Sequence, residues 1–252
     1  MSLSGHDCDS YWTKTETYEA LKKYIQMDMY NLKELVTRLI AGSSIEINPD
    51  KFQNDMTTFA SADDVLTLLV HLGYLTYDFD TCTVHIPNQE VQKEFINCIE
   101  DGGWEPVMDA IRKSEELLAA TIRGEEETVA RMIENAHQEN TSILAYNDEN
   151  SLSITINLAF YFAREYYTIV RELPSGKGFA DICFIPRKIH SEKPAVIIEL
   201  KWDKDAKGAI EQIKERHYVE TLKEYKGNLL LAGINYDKKS KKHECVIEEI
   251  CL

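Results

Sequence analysis

GKGFADICFIPRKIHSEKPAVIIELK, residues 176–201, decides how the rest of the chain is read. Two apolar, strand-like runs, 179–186 and 195–201, lie on either side of a charged turn that ends at Pro194. Each run carries a carboxylate where a buried strand favours apolar side chains: Asp181 in the first and Glu199 in the second, with Lys201 two residues later. Residues i and i+2 of a strand point to the same face, so Glu199 and Lys201 project together from the end of AVIIEL. Ionised groups in such a place cost several kcal/mol unless they are paired or bind a metal. These three residues are therefore the first candidates for chemistry.

Working outward, residues 149–165 read as a helix with an apolar stripe at Leu152, Ile156, Ala159, Phe160 and Ala163. Glu149, three residues before Leu152, falls on the same inward side. Residues 167–173 are strand-like and run into the breaker-rich turn Pro174-Ser175-Gly176-Lys177-Gly178. Past Lys201, residues 205–225 predict a long helix with Ala206, Ile210, Ile213, His217 and Thr221 on one stripe. Two final strands, 229–235 and 245–252, flank the turn DKKSKK. The order is αβββαββ.

The preceding part has a different character. Residues 16–41 predict a helix stopped by Gly42, and Ser61 with Asp64 forms a capping-box pattern before VLTLLVHLGYL. Short β-like runs at 75–79 and 83–86 precede a helix opened by Pro87-Asn88 and closed by Asp101-Gly102-Gly103. Helix, hairpin, helix is a winged-helix-like outline. Two more amphipathic helices fill 104–140, split near Arg123-Gly124. The run Glu125–Glu127 suits a helix N-terminus, where negative charge is favoured by the helix dipole. His137 reads as a surface residue.

Charge divides the chain at the same place. Residues 1–144 hold 11 Lys/Arg against 26 Asp/Glu, whereas residues 145–252 hold 17 of each. The acidic part, with no Lys/Arg-rich helix, argues against nucleic-acid reading there and for an interaction or linker module. Two domains follow: 1–144, acidic and mostly helical, and 145–252, a mixed α/β (α+β) domain. The six cysteines form no C-x-x-C pair, so reduced thiols in a cytoplasmic protein are expected rather than a zinc site. No apolar run reaches membrane-span length.

Asp181 and Glu199 on neighbouring strands offer oxygen ligands to one hard cation, and the Leu200 carbonyl between the functional side chains supplies a third. Lys201 can orient a metal-bound water or neutralise charge building on a phosphate. That is the chemistry of a metal-dependent nuclease.

The pattern G-F-A-D181, then E199-L-K201, resembles the active-site signature of the PD-(D/E)XK nuclease superfamily, whose restriction-endonuclease-like core has the order αβββαβ and a mixed sheet. The stretch from Glu149 through Gln212 and Tyr218 is similar to the nuclease domain of a family of bacterial AAA-ATPase-like proteins. The segment LLVHLGYLTYD…HIPNQEVQKEF is similar to that family's linker between ATPase and nuclease. Together the resemblance covers most of residues 60–252. It implies Asp181 and Glu199 as metal ligands, Lys201 as the catalytic lysine, Glu149 in support of the metal or its water, and Gln212 beside the site. It further implies Mg²⁺ (or Mn²⁺) and a DNA substrate bound by 145–252; many nucleases of this fold pair two copies to cut two strands, which leaves a homodimer open, and the lack of a membrane-span run predicts no membrane association. Ala180 stands where the signature has Pro, which leaves the carboxylate in place. No G-x-x-x-x-G-K-[ST] occurs, so the resemblance implies the C-terminal part of a longer ATPase-nuclease, with 1–144 facing the missing ATPase or a partner. The alternative is a catalytically inactive nuclease fold that binds nucleic acid or a protein. Trp202 has two readings, stacking on a base or covering the sheet edge.

Overall fold

The structure, a computed structural model, describes residues 16–27, 31–49, 59–140, 143, 149–175, 178–215 and 228–251. At 16–17, 149–150, 172–175, 178–179 and 251 it describes the backbone alone. The chain divides into two compact units, Met1–Met108 and Asp109–Leu252. The division falls inside the helix Glu105–Ile122, upstream of the change in charge near residue 144.

The first unit contains helices α1 (Glu16–Ile25) and α2 (Leu32–Ile40), strand β1 (Ile45–Glu46), helix α3 (Ala62–His71), strands β2 (Thr76–Asp78) and β3 (Thr83–His85), and helix α4 (Gln89–Asp101). A single helix over 16–41 was expected, but two form. Asn31, at φ 61°, stands at the start of α2, and this left-handed conformation interrupts a helical register. The capping box does form: the Asp64 carboxylate accepts from the Ser61 amide at 3.0 Å and the Ala60 amide at 2.7 Å. Asn88 caps α4 by accepting from the Val91 amide at 2.9 Å. The buried Gln92 amide donates to the Ile40 carbonyl at 2.7 Å, satisfying a carbonyl at the C-terminal end of α2. The three short strands pair antiparallel in the order β1-β3-β2.

The second unit holds most of α5 (Glu105–Ile122), then α6 (Glu126–Asn140), α7 (Glu149–Ala159), a 3₁₀ turn (Tyr161–Glu165), β4 (Tyr167–Ser175), β5 (Gly178–Pro186), β6 (Ala195–Trp202), α8 (Ala206–Glu215), β7 (Asn228–Asp237) and β8 (Lys242–Cys251). From α7 onward this is the αβββαββ order read from the sequence. The expected helix over 149–165 ends at Ala159 and tightens into the 3₁₀ turn. Residues 216–227, with His217, Tyr218 and Thr221, lie outside the described ones.

The five strands form one mixed sheet in the order β4-β5-β6-β7-β8, with β6 and β7 parallel and every other neighbour antiparallel. The fold here is therefore mixed α/β. On one face α8 covers Cys183, Ile197 and Leu231 through Ile210 and Ile213. On the other, Phe160 at the end of α7 packs on Phe184 of β5 at 5.3 Å between ring centroids. Strand β6 is buried along its length up to Lys201, which explains its unbroken apolar run.

Helix α8 lies close to the sheet because Gly233 of β7 allows it. A Cβ at Gly233 would come within 2.2 Å of the Ala206 carbonyl oxygen and 2.9 Å of the Ala209 Cβ. No residue with a side chain fits there without moving the helix.

Helix α6 lies along the β8 edge of the sheet. Its Glu126 carboxylate accepts from the Ile247 amide of β8 at 2.7 Å, and its Glu134 carboxylate from the His243 amide at 3.4 Å. Main-chain donors that an edge strand leaves to solvent are thus occupied. Helix-dipole placement alone does not account for the acidic run: Glu126 is tied to the edge strand. Among the described residues, no helix is long and apolar enough to cross a membrane.

Candidate functional site

The site forms where the pairing of β5 and β6 stops. The last paired residues are Ile182 and Ile198, and the same register carried one step further sets Asp181 opposite Glu199. There a side chain takes over from the backbone ladder: Asp181 Oδ2 accepts from the Leu200 amide at 2.7 Å. The bond orients the carboxylate and holds the two strand ends together beyond their last backbone pair.

Glu199 is 1 % exposed and Lys201 7 % exposed, both on the face covered by α8. Lys201 Nζ donates to Glu199 Oε1 at 3.1 Å, the i, i+2 pair expected of one strand face. Gln212, reaching down from α8, donates its side-chain amide to the same oxygen. Two donors on one carboxylate oxygen, one of them cationic, offset much of the cost of burying its charge. Gln212 is within reach because Gly233, directly beside Glu199 in the β6–β7 register, lets α8 down onto the sheet.

Of the residues singled out from the sequence, Asp181, Glu199, Leu200, Lys201 and Gln212 thus come together. Glu149 begins α7, and its side chain lies outside what the structure describes. Trp202 points to the opposite face and packs on Tyr236 at 4.7 Å between ring centroids.

Two features escaped the sequence reading. Asn235 of β7, buried and beside Lys201 in register, accepts from the Lys204 amide at 3.1 Å and donates to the Lys204 carbonyl at 3.0 Å. It fixes the chain leaving Lys201, although a lone Asn before a turn gives little warning of this. The other is His137, expected at the surface. It is buried and packs edge-on against Tyr236 at 4.9 Å and His243 at 5.1 Å. Burial pushes the His137 imidazole down to about 4, and burial with the neighbouring His137 pushes His243 down to about 3.

The donor set of Asp181, Glu199 and the Leu200 carbonyl consists of hard oxygens, which fit a divalent cation of the Mg²⁺ kind. Among the described residues no cluster of three or more His, Cys, Asp or Glu side chains stands around a metal position. The four described cysteines, Cys82, Cys98, Cys183 and Cys245, are free thiols, the last three of them buried.

Comparison with known proteins converges on the same strands. Residues 148–245 match the family model of the PD-(D/E)XK nuclease superfamily. The match spans less than half of the chain and contains every candidate site residue. The mixed five-stranded sheet is consistent with that superfamily's fold. No curated protein matches the chain.

Proposed function

We propose that the second unit hydrolyses phosphodiester bonds in DNA with a divalent metal, Mg²⁺ or Mn²⁺, at the end of strands β5 and β6. The observation that carries this reading is the meeting of Asp181, Glu199 and Lys201 across one strand pair, within the segment that matches a nuclease superfamily. Asp181, Glu199 and the Leu200 carbonyl would hold the metal, with Glu149 in support. Such a metal supplies Lewis-acid stabilisation of the phosphate and a water of lowered pKa.

The chain's own residues do the rest. Asp181 keeps the ends of β5 and β6 in register through the Leu200 amide. Lys201 brings a positive charge into a buried place, where it counters negative charge building on a phosphate more strongly than it would in water. Gln212 orients Glu199 through its side-chain amide. The first unit serves as a connector or partner-binding module of an ATPase-nuclease. Its order α2-β1-α3-β2-β3-α4 and antiparallel β1-β3-β2 sheet support the winged-helix reading.

The test is a metal-titrated cleavage assay on duplex, junction and single-stranded DNA, with RNA as comparison, beside calorimetric metal titration. Lys201→Ala is expected to lower the cleavage rate by roughly 10²–10³-fold, the size of losing one charge-stabilising group. Asp181→Ala is expected to lose metal uptake as well. A wild-type chain that takes up no Mg²⁺ or Mn²⁺ and cuts no substrate sinks the proposal. Equal residual cleavage in wild type and Lys201→Ala points instead to a fold kept for binding.

A further inference from the structure

The loop leaving β6 and the β7–β8 turn emerge from the same end of the sheet, because β6 and β7 run parallel with Lys201 beside Asn235 and Trp202 beside Tyr236. Both loops are rich in lysine. The first carries Lys204 and, at the start of α8, Lys207; the second carries Lys238, Lys239, Lys241 and Lys242. All six are exposed. Among the described residues, none of their ammonium groups forms an ion pair within 4.0 Å.

The acids interspersed with these lysines are occupied in building the loops. The Asp203 carboxylate accepts from the Lys238 amide at 2.7 Å, while the Asp203 amide donates to the Tyr236 carbonyl at 2.8 Å. Asp203 holds φ 53°, a left-handed conformation that Asp tolerates, and so turns the first loop against the second. Asn235 adds its two bonds to Lys204. Asp205 accepts from the Gly208 amide at 2.6 Å and caps α8. Asp237 accepts from the Ser240 amide at 2.7 Å and hydroxyl at 3.0 Å, and these donors hold its carboxyl below the usual range. Four polar links tie the first loop to the end of β7 and the turn beyond it, three to Asn235 and Tyr236 of β7 and one to Lys238 of the turn, and each of these three acids accepts from a main-chain donor. The lysines are left facing solvent on a hydrogen-bonded support that begins at Asp203, two residues after Lys201.

Here six lysines stand against Asp203, Asp205 and Asp237, so the braced loops carry an excess of positive charge in a chain whose net charge is −15. We infer that Lys204, Lys207, Lys238, Lys239, Lys241 and Lys242 form a phosphate-backbone platform that seats nucleic acid beside the Asp181–Glu199–Lys201 cluster. The inference deepens the proposed nuclease reading and rests on it for the identity of the polyanion. Lysines make point-charge contacts to phosphate without reading bases, so the platform grips the backbone irrespective of sequence.

Fluorescence anisotropy with a labelled DNA duplex in EDTA, from about 50 to about 200 mM salt, tests this. Two variants divide the platform, K238Q/K239Q/K241Q/K242Q on the turn and K204Q/K207Q on the first loop. Each lysine that touches a phosphate is expected to make the slope of log K against log salt shallower by about 0.9. Circular dichroism melting should leave both lysine variants folded, since all the exchanged groups are exposed. Wild-type affinity and slope in both lysine variants overturn the platform, and so does a wild-type chain that binds neither DNA nor RNA. Cleavage by the wild type in either case leaves the nuclease reading standing. Conversely, lysine-dependent binding without any metal-supported cleavage upholds the platform and removes the nuclease reading.

Discussion

At the scale of single residues, the site is built around one carboxylate oxygen. Glu199 Oε1 receives both Lys201 and Gln212, so the two donors share the work of keeping a buried charge in place. Gln212→Ala removes the neutral donor and leaves the lysine. A hydrogen bond to a charged group contributes roughly 1.5–3 kcal/mol, so a loss of at least about tenfold in kcat is expected. KM for DNA should stay near wild type, because Gln212 acts through Glu199 as a positioning residue. A rise in KM with kcat unchanged would assign Gln212 to substrate binding instead. Asp181, Glu199 and Lys201 were legible in the sequence because charge interrupts apolar strand patterns. Gln212 came forward only by resemblance, since a polar residue on a helix fits the solvent side equally well. Asn235 was not legible at all: its bonds run to Lys204, far away along the chain.

At the scale of elements, the seating of α8 on β6 and β7 decides whether Gln212 reaches Glu199. Gly233→Ala places a methyl group against the Ala206 carbonyl, and backbone there cannot give way as a side-chain tip would. Overpacking of this kind costs about 1–3 kcal/mol. Thermal unfolding should therefore shift down, and cleavage should fall together with it as Gln212 is lifted away. Unchanged stability in Gly233→Ala would show that α8 is not held at this contact. Strand and helix order in the second unit was legible from period and breakers. The split of 16–41 into two helices was not, because an Asn in the left-handed conformation looks like any polar helix residue. Nor was the role of α6, whose acidic first turn suits the helix dipole and yet also occupies an amide of β8.

At the scale of the whole molecule, the second unit has an acid limit set by two histidines. His137 and His243 are buried against each other, with Tyr236 in contact with both and Trp202 packed on Tyr236. The Glu134 carboxylate faces the His243 amide. Both imidazoles titrate lower in the folded chain than an unfolded histidine, which takes a proton near pH 6.5. The unfolded state then binds more protons below about pH 6.5, so the stability due to neutral burial is full above that value. It is lost as pH falls toward about 4 for His137 and about 3 for His243, at up to about 1.4 kcal/mol per pH unit for each histidine. Urea unfolding midpoints should drop between pH 7.5 and pH 5, and His137→Gln with His243→Gln should flatten that slope. An equal drop in the double variant would place the acid sensitivity elsewhere.

The amino-acid sequence by itself determined the element order of the second unit, the position of three charged residues in buried strands and the acidity of residues 1–144. These depend on local period, local breakers and composition, which neighbouring residues report directly. Tertiary structure alone decided that Asp181 takes over the ladder from the backbone, that Gly233 brings Gln212 to Glu199, and that His137 is buried. It also decided that two lysine loops are stitched together beyond Lys201. Each of these is a contact between residues distant in the chain, fixed by strand register and helix approach, and no local pattern in the sequence records it.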